Sequence, residues 1–222
     1  MRDFIRGLQR KRKERKLRRQ LPETVFTNIW RKNGWGGQES LSGKGSDLDQ
    51  TRHLISVLPQ VLSRHGISSM VDLPCGDFNW MQYVDLSGID YTGGDIVAGL
   101  IENNKQIHSR TGVQFRHLDL ISSRLPTADL YFVRDVFVHL SLEHINAALE
   151  NIRSSGSHWL LTTTFPKEKV NVDILTGQWR RLNLCLPPFS FPEPTELILE
   201  KGLPADHEQA DKSLGLWRIS DL

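Results

Sequence analysis

The hydrophobic positions of this chain follow two different periods. Over residues 48–65 the apolar side chains recur at the 3.6-residue spacing of a helix, so the pattern predicts an amphipathic helix that Pro59 kinks or splits. From residue 68 onward, short apolar runs alternate with helical stretches. The predicted strands are SSMVDL, YTGGDI, VQFRHLDL, ADLYFVRDV and SHWLLTTTF, and the predicted helices cover residues 78–85, residues 97–109 and SLEHINAALENIRSS, with Ser141 as N-cap.

This alternation is typical of βαβ units. It predicts an α/β fold built on a Rossmann-like, doubly wound and mostly parallel sheet. Residues 166–194 show no period and predict a long irregular excursion. The last two apolar runs, ELILE and GLWRIS, are separated by a loop with no helical pattern, so they predict a C-terminal antiparallel hairpin. The expected sheet has about seven strands.

Two segments precede the predicted α/β domain, which covers residues 48–222. Residues 21–47 show neither period but are rich in Trp, Gly and Ser, and we predict that they form a lid over a ligand site. Residues 1–20 carry ten Lys and Arg against two acids, a net charge of +8, whereas the rest of the chain carries −6. This basic arm predicts electrostatic contact with nucleic acid or an anionic membrane; a solvated arm without a specific partner is the alternative.

Composition narrows the class of protein. The chain has 222 residues and two cysteines, too few for a disulfide framework or a four-thiolate zinc site, which favours a cytoplasmic setting. With no run of 18 apolar residues and no apolar core in the first 20 residues, we expect neither a transmembrane helix nor a secretory signal. The eight histidines show no metal-ligand spacing, so we expect a metal-independent site.

Four of the predicted strands end in a carboxylate: Asp72, Asp95, Asp119 and Asp135. Because ligands of open parallel sheets bind beyond the carboxyl ends of the strands, this row predicts a binding site. Asp95 follows the first turn at the distance typical of an acid that binds both hydroxyls of a ribose. The turn PCGD contains a single glycine, Gly76, so it lacks G-x-G-x-x-G for a pyrophosphate and suits a smaller anion such as a carboxylate.

At these positions the sequence resembles the class I S-adenosylmethionine-dependent methyltransferases. VDLPCGDFNW is similar to their first motif, YTGGDI to the second, FRHLDL to the third and ADLYFVRDVFVHLS to the motif of the fourth strand. The resemblance covers about residues 68–222, and in the first motif Pro74 and Asn79 stand where the family has two further glycines. The flanking segments resemble a bacterial, largely uncharacterised subgroup of the family.

The resemblance implies a methyltransferase with S-adenosyl-L-methionine as cofactor. It implies that Asp72 and Gly76 border the methionine moiety, Asp95 the ribose, and Asp119 with Leu120 the adenine. The full set of predicted cofactor contacts is Trp35, Asp72, Pro74, Cys75, Gly76, Asp77, Asp95, Ile96, Asp119, Leu120 and Arg134.

For the chemistry of transfer, Asp135 and His139 are the candidate general bases, four residues apart; a structural imidazole is the alternative for His139. The predicted acceptor contacts are Asn171, Trp179, Arg180 and Asn183. The favoured acceptor is a small polar molecule, such as a sugar or a glycan precursor. A nucleic-acid methyltransferase tethered by the basic arm, a nicotinamide-dependent oxidoreductase and an inactive binding module are the alternatives.

Overall fold

Seven strands form one mixed sheet in the computed structural model, which describes residues 20–202, 204 and 206–222. The sheet has the order β3-β2-β1-β4-β5-β7-β6, and β7 alone runs opposite to the other six strands. The predicted Rossmann-like fold with a C-terminal antiparallel pair is therefore confirmed. The strands are β1 (Ser69–Asp72), β2 (Asp90–Asp95), β3 (Val113–His117), β4 (Leu130–Val133), β5 (Trp159–Thr164), β6 (Glu196–Leu199) and β7 (Ser213–Arg218).

Apolar side chains form one core on each face of the sheet, because successive residues of a strand point to opposite faces. In β1, for example, Val71 belongs to one core and Met70 to the other. The first core receives α4 and Phe26 of α1, and the second receives α2. The helices are α1 (Pro22–Arg31), α2 (Leu48–Arg64), α3 (Ala98–His108) and α4 (Leu142–Ser154). Among the described residues, no helix has both the length and the apolarity needed to cross a bilayer.

The predicted N-cap of α4 is confirmed. The side-chain oxygen of Ser141 accepts a hydrogen bond from the backbone N–H of His144 at 3.2 Å. A hydroxyl in this position satisfies one of the backbone donors that a helix leaves unpaired at its start.

Two predictions of local structure are wrong, and of the two effects predicted for Pro59 the split does not occur. Residues 21–47 are predicted to show no helical period, but they contain one. Apolar side chains recur at helical spacing and form the apolar face of α1: Val25, Phe26, Ile29 and Trp30. Pro59 does not split α2, which runs unbroken. Buried apolar side chains on both sides of the proline hold the helix together despite the lost backbone hydrogen bond.

Residues 78–85 do not form a helix either. Phe78 has a positive φ of 58°, which is incompatible with a helix start, and only a short 3-10 turn over Met81–Tyr83 follows. Phe78, Trp80 and Met81 are all buried, so their packing at irregular spacing overrides the local pattern. The basic arm predicted for residues 1–20 lies outside the described residues, except for Gln20.

Candidate functional site

A cavity of about 500 Å³ opens at the carboxyl edge of the sheet. It lies where β1 separates β2 from β4, the switch point at which ligands of open α/β sheets bind. The cavity wall contains every predicted cofactor contact except Asp77, together with both candidate bases. These lining residues are Trp35, Asp72, Pro74, Cys75, Gly76, Asp95, Ile96, Asp119, Leu120, Arg134, Asp135 and His139.

Asp95 closes β2 with a carboxylate that is only 5% exposed. Its Oδ2 accepts a hydrogen bond from Gly76 N–H at 3.1 Å, and its Oδ1 accepts one from Val97 N–H at 2.8 Å. Burial raises the pKa of Asp95 to about 6, although the two backbone donors oppose this. Since a carboxylate has about four lone-pair sites, Asp95 retains acceptor capacity toward the cavity.

Asp119 follows β3 and is organised in a similar way. Its Oδ1 accepts a hydrogen bond from Ile121 N–H at 2.9 Å, and its Oδ2 accepts one from the Ser122 hydroxyl at 2.6 Å. The next residue, Leu120, is buried and packs into the core beneath the cavity. The end of β3 thus offers a fixed carboxylate beside an apolar surface, a combination suited to a flat heterocycle with an exocyclic amino group.

Asp72 ends β1 and is the most buried of the cavity acids, at 3% exposure. Its Oδ2 accepts a hydrogen bond from the Tyr91 hydroxyl at 2.6 Å. Burial raises the pKa of Asp72 to about 8, and the hydrogen bond from Tyr91 counteracts only part of this rise. The Asp72 carboxyl group therefore holds its proton at neutral pH.

We expect this proton to make the stability of the protein depend on pH. The unfolded chain releases it near pH 3.8 and the folded chain only near pH 8, so the stabilisation is complete below pH 3.8 and is lost as the pH rises toward 8. Asp72→Asn, which can still accept from Tyr91, removes this dependence. Urea unfolding of both proteins from pH 5 to 8.5 should show the wild type losing at least about 2 kcal/mol relative to the variant. A constant difference would contradict the proton uptake.

The turn after β1 requires a glycine at position 76. Gly76 has a positive φ of 56°, and a Cβ there would lie 2.1 Å from the Oγ of Ser42. Its carbonyl accepts a hydrogen bond from the Asn104 amide at 2.8 Å, which ties the turn to α3. The single glycine of PCGD is thus placed where any side chain would collide with Ser42.

Residues 32–47, the part of the predicted lid that follows α1 and is here called the lid loop, are attached to this turn through Asp77. The Asp77 carboxylate accepts hydrogen bonds from the Ser40 hydroxyl at 2.8 Å, from Leu41 N–H at 2.7 Å and from the Ser42 hydroxyl at 3.0 Å. Asp77 itself lies outside the cavity wall, so its side chain holds the lid loop and does not face the cavity. Trp35, in the same loop, lines the cavity and packs 5.6 Å from the His139 ring, centroid to centroid.

Removing this attachment should loosen the lid loop alone. We expect Asp77→Ala to raise the hydrogen–deuterium exchange rate of residues 40–43 by at least about tenfold, because hydrogen bonds to a charged group contribute about 1.5–3 kcal/mol. Asp85→Ala is the matched control, because Asp85 is an exposed carboxylate in the same connection between β1 and β2 as Asp77. Equal exchange in both variants would show that the lid loop is held by other contacts.

His139 lies at the end of the cavity away from β2. Its Nδ1 is 2.9 Å from the backbone carbonyl of Gln178, and because a carbonyl only accepts, Nδ1 carries the proton and Nε2 has a free lone pair. Burial lowers the pKa of His139 below its usual value, with Asp135 opposing and Lys212 reinforcing the shift. The imidazole is therefore neutral at neutral pH and able to accept a proton.

Asp135 belongs to a group of four charged side chains that we call the ion cluster: Arg134, Asp135, Glu200 and Lys212. Lys212 pairs with the Asp135 carboxylate and lies 3.3 Å from Glu200, while Arg134 pairs with Glu200 at 2.7 Å and with Asp135 at 3.4 Å. Burial raises the pKa of Asp135, but Lys212 and Arg134 outweigh it and lower the value to about 2. Asp135 is therefore an ionised partner of cations and a much weaker base than His139.

Sequence reasoning missed the cluster members Glu200 and Lys212, together with Gln209, which also lines the cavity. Glu200 follows β6 directly and Lys212 precedes β7 directly. Because β6 and β7 form a hairpin, the end of β6 and the start of β7 lie at the same edge of the sheet. The missing information was the direction of β6, which runs parallel to β5 because β7 inserts between them.

The predicted acceptor contacts separate into two groups. Trp179 is 40% exposed and lines the cavity. The other three side chains fold the irregular excursion: Arg180 donates to the carbonyls of Phe137 and Leu140, and the amides of Asn171 and Asn183 donate to loop carbonyls. That Asn171, Arg180 and Asn183 contact an acceptor remains a prediction.

The strand order and the site at its switch point define the class of fold: the chain has the fold of the class I S-adenosylmethionine-dependent methyltransferases. It is similar to magnesium protoporphyrin IX methyltransferase (ChlM) from Synechocystis PCC 6803 with bound SAM, with a TM-score of 0.60, 14% identity, and coverage of 90% of this chain and 97% of that one.

Two other solved structures are similar over most of their length. The methyltransferase domain of bacterial CtHen1 gives a TM-score of 0.56 at 14% identity and covers 78% of this chain and 100% of that one. The N-methyltransferase NodS from Bradyrhizobium japonicum WM9, in complex with S-adenosyl-L-homocysteine, gives 0.55 at 16% identity, with 75% and 86% covered. No protein-family model matches the sequence, and no curated protein matches it.

Proposed function

We propose that the protein is an S-adenosylmethionine-dependent methyltransferase. The observation that carries this proposal is the convergence of three strand-end acids, Asp72, Asp95 and Asp119, on one cavity at the switch point of a sheet with this strand order. The ligands SAM and SAH in the crystals of similar folds support the same cofactor here.

The donor and acceptor groups of the cavity fit this cofactor. The Asp95 carboxylate, with lone pairs to spare, suits the two hydroxyls of a ribose, and Asp119 beside Leu120 suits an adenine ring. Asp72, buried at the other side of the turn, suits the amino group of the methionine moiety, whose positive charge would favour its ionised form. When bound, the cofactor supplies a methyl group activated by a sulfonium.

The chain's own contribution to transfer is alignment, exclusion of water and removal of one proton. The lid loop closes the cavity through Asp77 and through the hydrogen bond from Arg134 to the Gly45 carbonyl at 2.8 Å, which limits water at the site. His139 Nε2 is the group best suited to accept a proton from the attacking hydroxyl or amine, because its ring is neutral and fixed by Gln178.

For the acceptor, we favour a small polar molecule, such as a sugar or a glycan precursor. The end of the cavity near β4 combines the side chains of Asp135, Lys212 and Gln209 with the indole of Trp179. Such a wall can form hydrogen bonds with hydroxyl groups, and the indole provides an apolar surface on which the face of a sugar ring can pack. The roof formed by the lid loop favours a compact acceptor over a polymer.

The runner-up on a similar sheet, a nicotinamide-dependent oxidoreductase, is disfavoured by two observations. The classic dinucleotide order 3-2-1-4-5-6 has no antiparallel strand between its fifth and sixth members, whereas this sheet does. The turn after β1 offers one glycine, and Pro74 removes a backbone N–H at the point where a pyrophosphate would need donors.

Calorimetry with S-adenosylmethionine, S-adenosylhomocysteine and NAD tests the proposal directly. We expect binding of the first two and none of NAD. Turnover is then measured as release of S-adenosylhomocysteine with a panel of monosaccharides and nucleotide sugars, and with RNA for the tethered alternative. Binding of NAD alone would overturn the assignment, and salt-sensitive turnover on RNA alone would replace the small acceptor by a nucleic acid.

A further inference from the structure

The ion cluster is built from parts of the chain that are far apart in sequence. Arg134 and Asp135 directly follow β4, whereas Glu200 and Lys212 bound the loop between β6 and β7. Arg134 is 6% exposed, and Glu200 and Lys212 are each 8% exposed, so all three charges have left water for this contact. Burying ions is costly unless each one is paired, and here every member has at least two charged partners within the cluster.

Within the cluster, Asp135 is the carboxylate that faces the cavity. Its side chain is 29% exposed and lines the cavity wall, whereas Glu200 lies behind it and outside the wall. Its backbone has a positive φ of 57°, a strained conformation for a residue other than glycine, and its N–H donates to the Thr163 hydroxyl at 2.9 Å. Backbone and side chain are therefore both fixed, one by β5 and the other by Lys212.

We propose that Lys212 and Glu200 are positioning residues for the acceptor: Glu200 holds the Lys212 ammonium group, and Lys212 fixes the Asp135 carboxylate at the same cavity end as His139 Nε2. This inference rests on the proposed function, because only methyl transfer makes that end the acceptor end. The Asp135 carboxylate and His139 Nε2 are both hydrogen-bond acceptors. Together they select a molecule that presents hydroxyl or amino hydrogens to each of them. A molecule without such donors would exclude water from the cavity-facing part of the Asp135 carboxylate and leave its remaining lone pairs without a partner.

The pKa of His139 reports whether the charges of Asp135 and Lys212 lie close to its ring, as the inference requires. The charged side chains that act on this ring are Asp135, which raises its pKa, and Lys212 and Arg180, which lower it. Its other neighbours, the Gln178 carbonyl and the Trp35 ring, carry no charge. Removing the ammonium and removing the carboxylate should therefore move the titration of His139 in opposite directions.

The experiment is an NMR pH titration of the His139 ring in the full chain, assigned by its loss in His139→Asn. We expect Lys212→Met to raise the pKa of His139 by about 0.5 or more and Asp135→Asn to lower it by a similar amount. Glu200→Gln also removes a negative charge from the cluster and frees the Lys212 ammonium group from its second partner, so it should lower the pKa of His139 as well. Lys201→Met, at an exposed lysine on the same loop, should leave it unchanged.

A merely structural role gives a different pattern. Loosening the loop admits water and relieves burial, so all the cluster variants would then move the His139 pKa upward, toward its ordinary value. That common direction, or no difference from Lys201→Met, overturns the inference. Lys212→Arg, which keeps the charge, should behave as wild type. Lys212→Gln, which removes the charge but keeps a polar end, replaces Lys212→Met if the latter does not fold, and the same upward shift is expected.

Calorimetry with S-adenosylhomocysteine separates this inference from the proposed function. The affinity of Lys212→Met should stay within about threefold of the wild type, because the cluster lies at the other end of the cavity from Asp95. If the wild type itself fails to bind, the proposed function fails while the titration still decides on the ion cluster. If the wild type binds and the opposite shifts are missing, only the positioning role fails.

Discussion

Asp95→Ala is expected to lower the affinity for S-adenosylhomocysteine by at least about 30-fold, or about 2 kcal/mol. The carboxylate is buried, and it holds the backbone N–H groups of Gly76 and Val97 in place while offering lone pairs to the cavity. Its removal deletes the proposed acceptor for the ribose and leaves two backbone donors without their partner. Isothermal calorimetry measures both the affinity and the number of sites.

Asp90 provides the control for this substitution. It lies at the start of the same strand and is exposed, at the opposite edge of the sheet from the cavity. Asp90→Ala removes the same chemical group and should bind as the wild type does. If Asp95→Ala folds and also binds within threefold of the wild type, the ligand does not lie over the tip of β2, and the proposed cofactor site is wrong.

Arg134→Met should reduce the free energy of unfolding by about 3–5 kcal/mol. The substitution leaves two carboxylates, Asp135 and Glu200, facing a single ammonium group in a nearly dry environment. It also removes the hydrogen bond to the Gly45 carbonyl and the guanidinium that lies 5.5 Å from the Trp80 ring centroid. Urea unfolding followed by circular dichroism gives the difference.

Arg116→Met, at an exposed position of β3, is the matched change and should cost less than about 0.5 kcal/mol. A second comparison uses Glu200→Gln in the Arg134→Met background. Because this removes one of the two uncompensated carboxylates, it should restore part of the lost stability. A loss below about 1 kcal/mol in Arg134→Met would mean that water or Lys212 compensates the two acids.

The sheet and most of its connections were predictable from sequence because burial dictates them. Three of the parallel inner strands, β1, β4 and β5, contain apolar runs. Each of the first four predicted strands ends close to an acid, which placed the cavity correctly at the edge of β1, β2 and β4. What failed was local. α1 is short and its apolar face covers only two turns, so the glycines and the tryptophan that follow it masked its period.

The ion cluster could not be predicted because its members share no local pattern. Glu200 and Lys212 are charged residues at the ends of a loop, which in most proteins are solvated. Only the insertion of β7 between β5 and β6 turns them toward β4. Likewise, Asn171, Arg180 and Asn183 are residue types that bind ligands as readily as they brace a loop, and the sequence does not distinguish the two uses.

The position of β7 has a consequence for how such a protein changes over evolutionary time. In the proposed function, the donor site is encoded between Asp72 and Leu120, whereas the loop that carries Gln209 and Lys212 is encoded about 90 residues later. Exchange of that single hairpin connection between homologous genes would alter what is modified and leave the methyl source untouched. The segment that would determine the acceptor can therefore change while the segment that would bind the methyl donor is kept. Chimeras with their crossover in β6 are the natural starting point for redesigning selectivity.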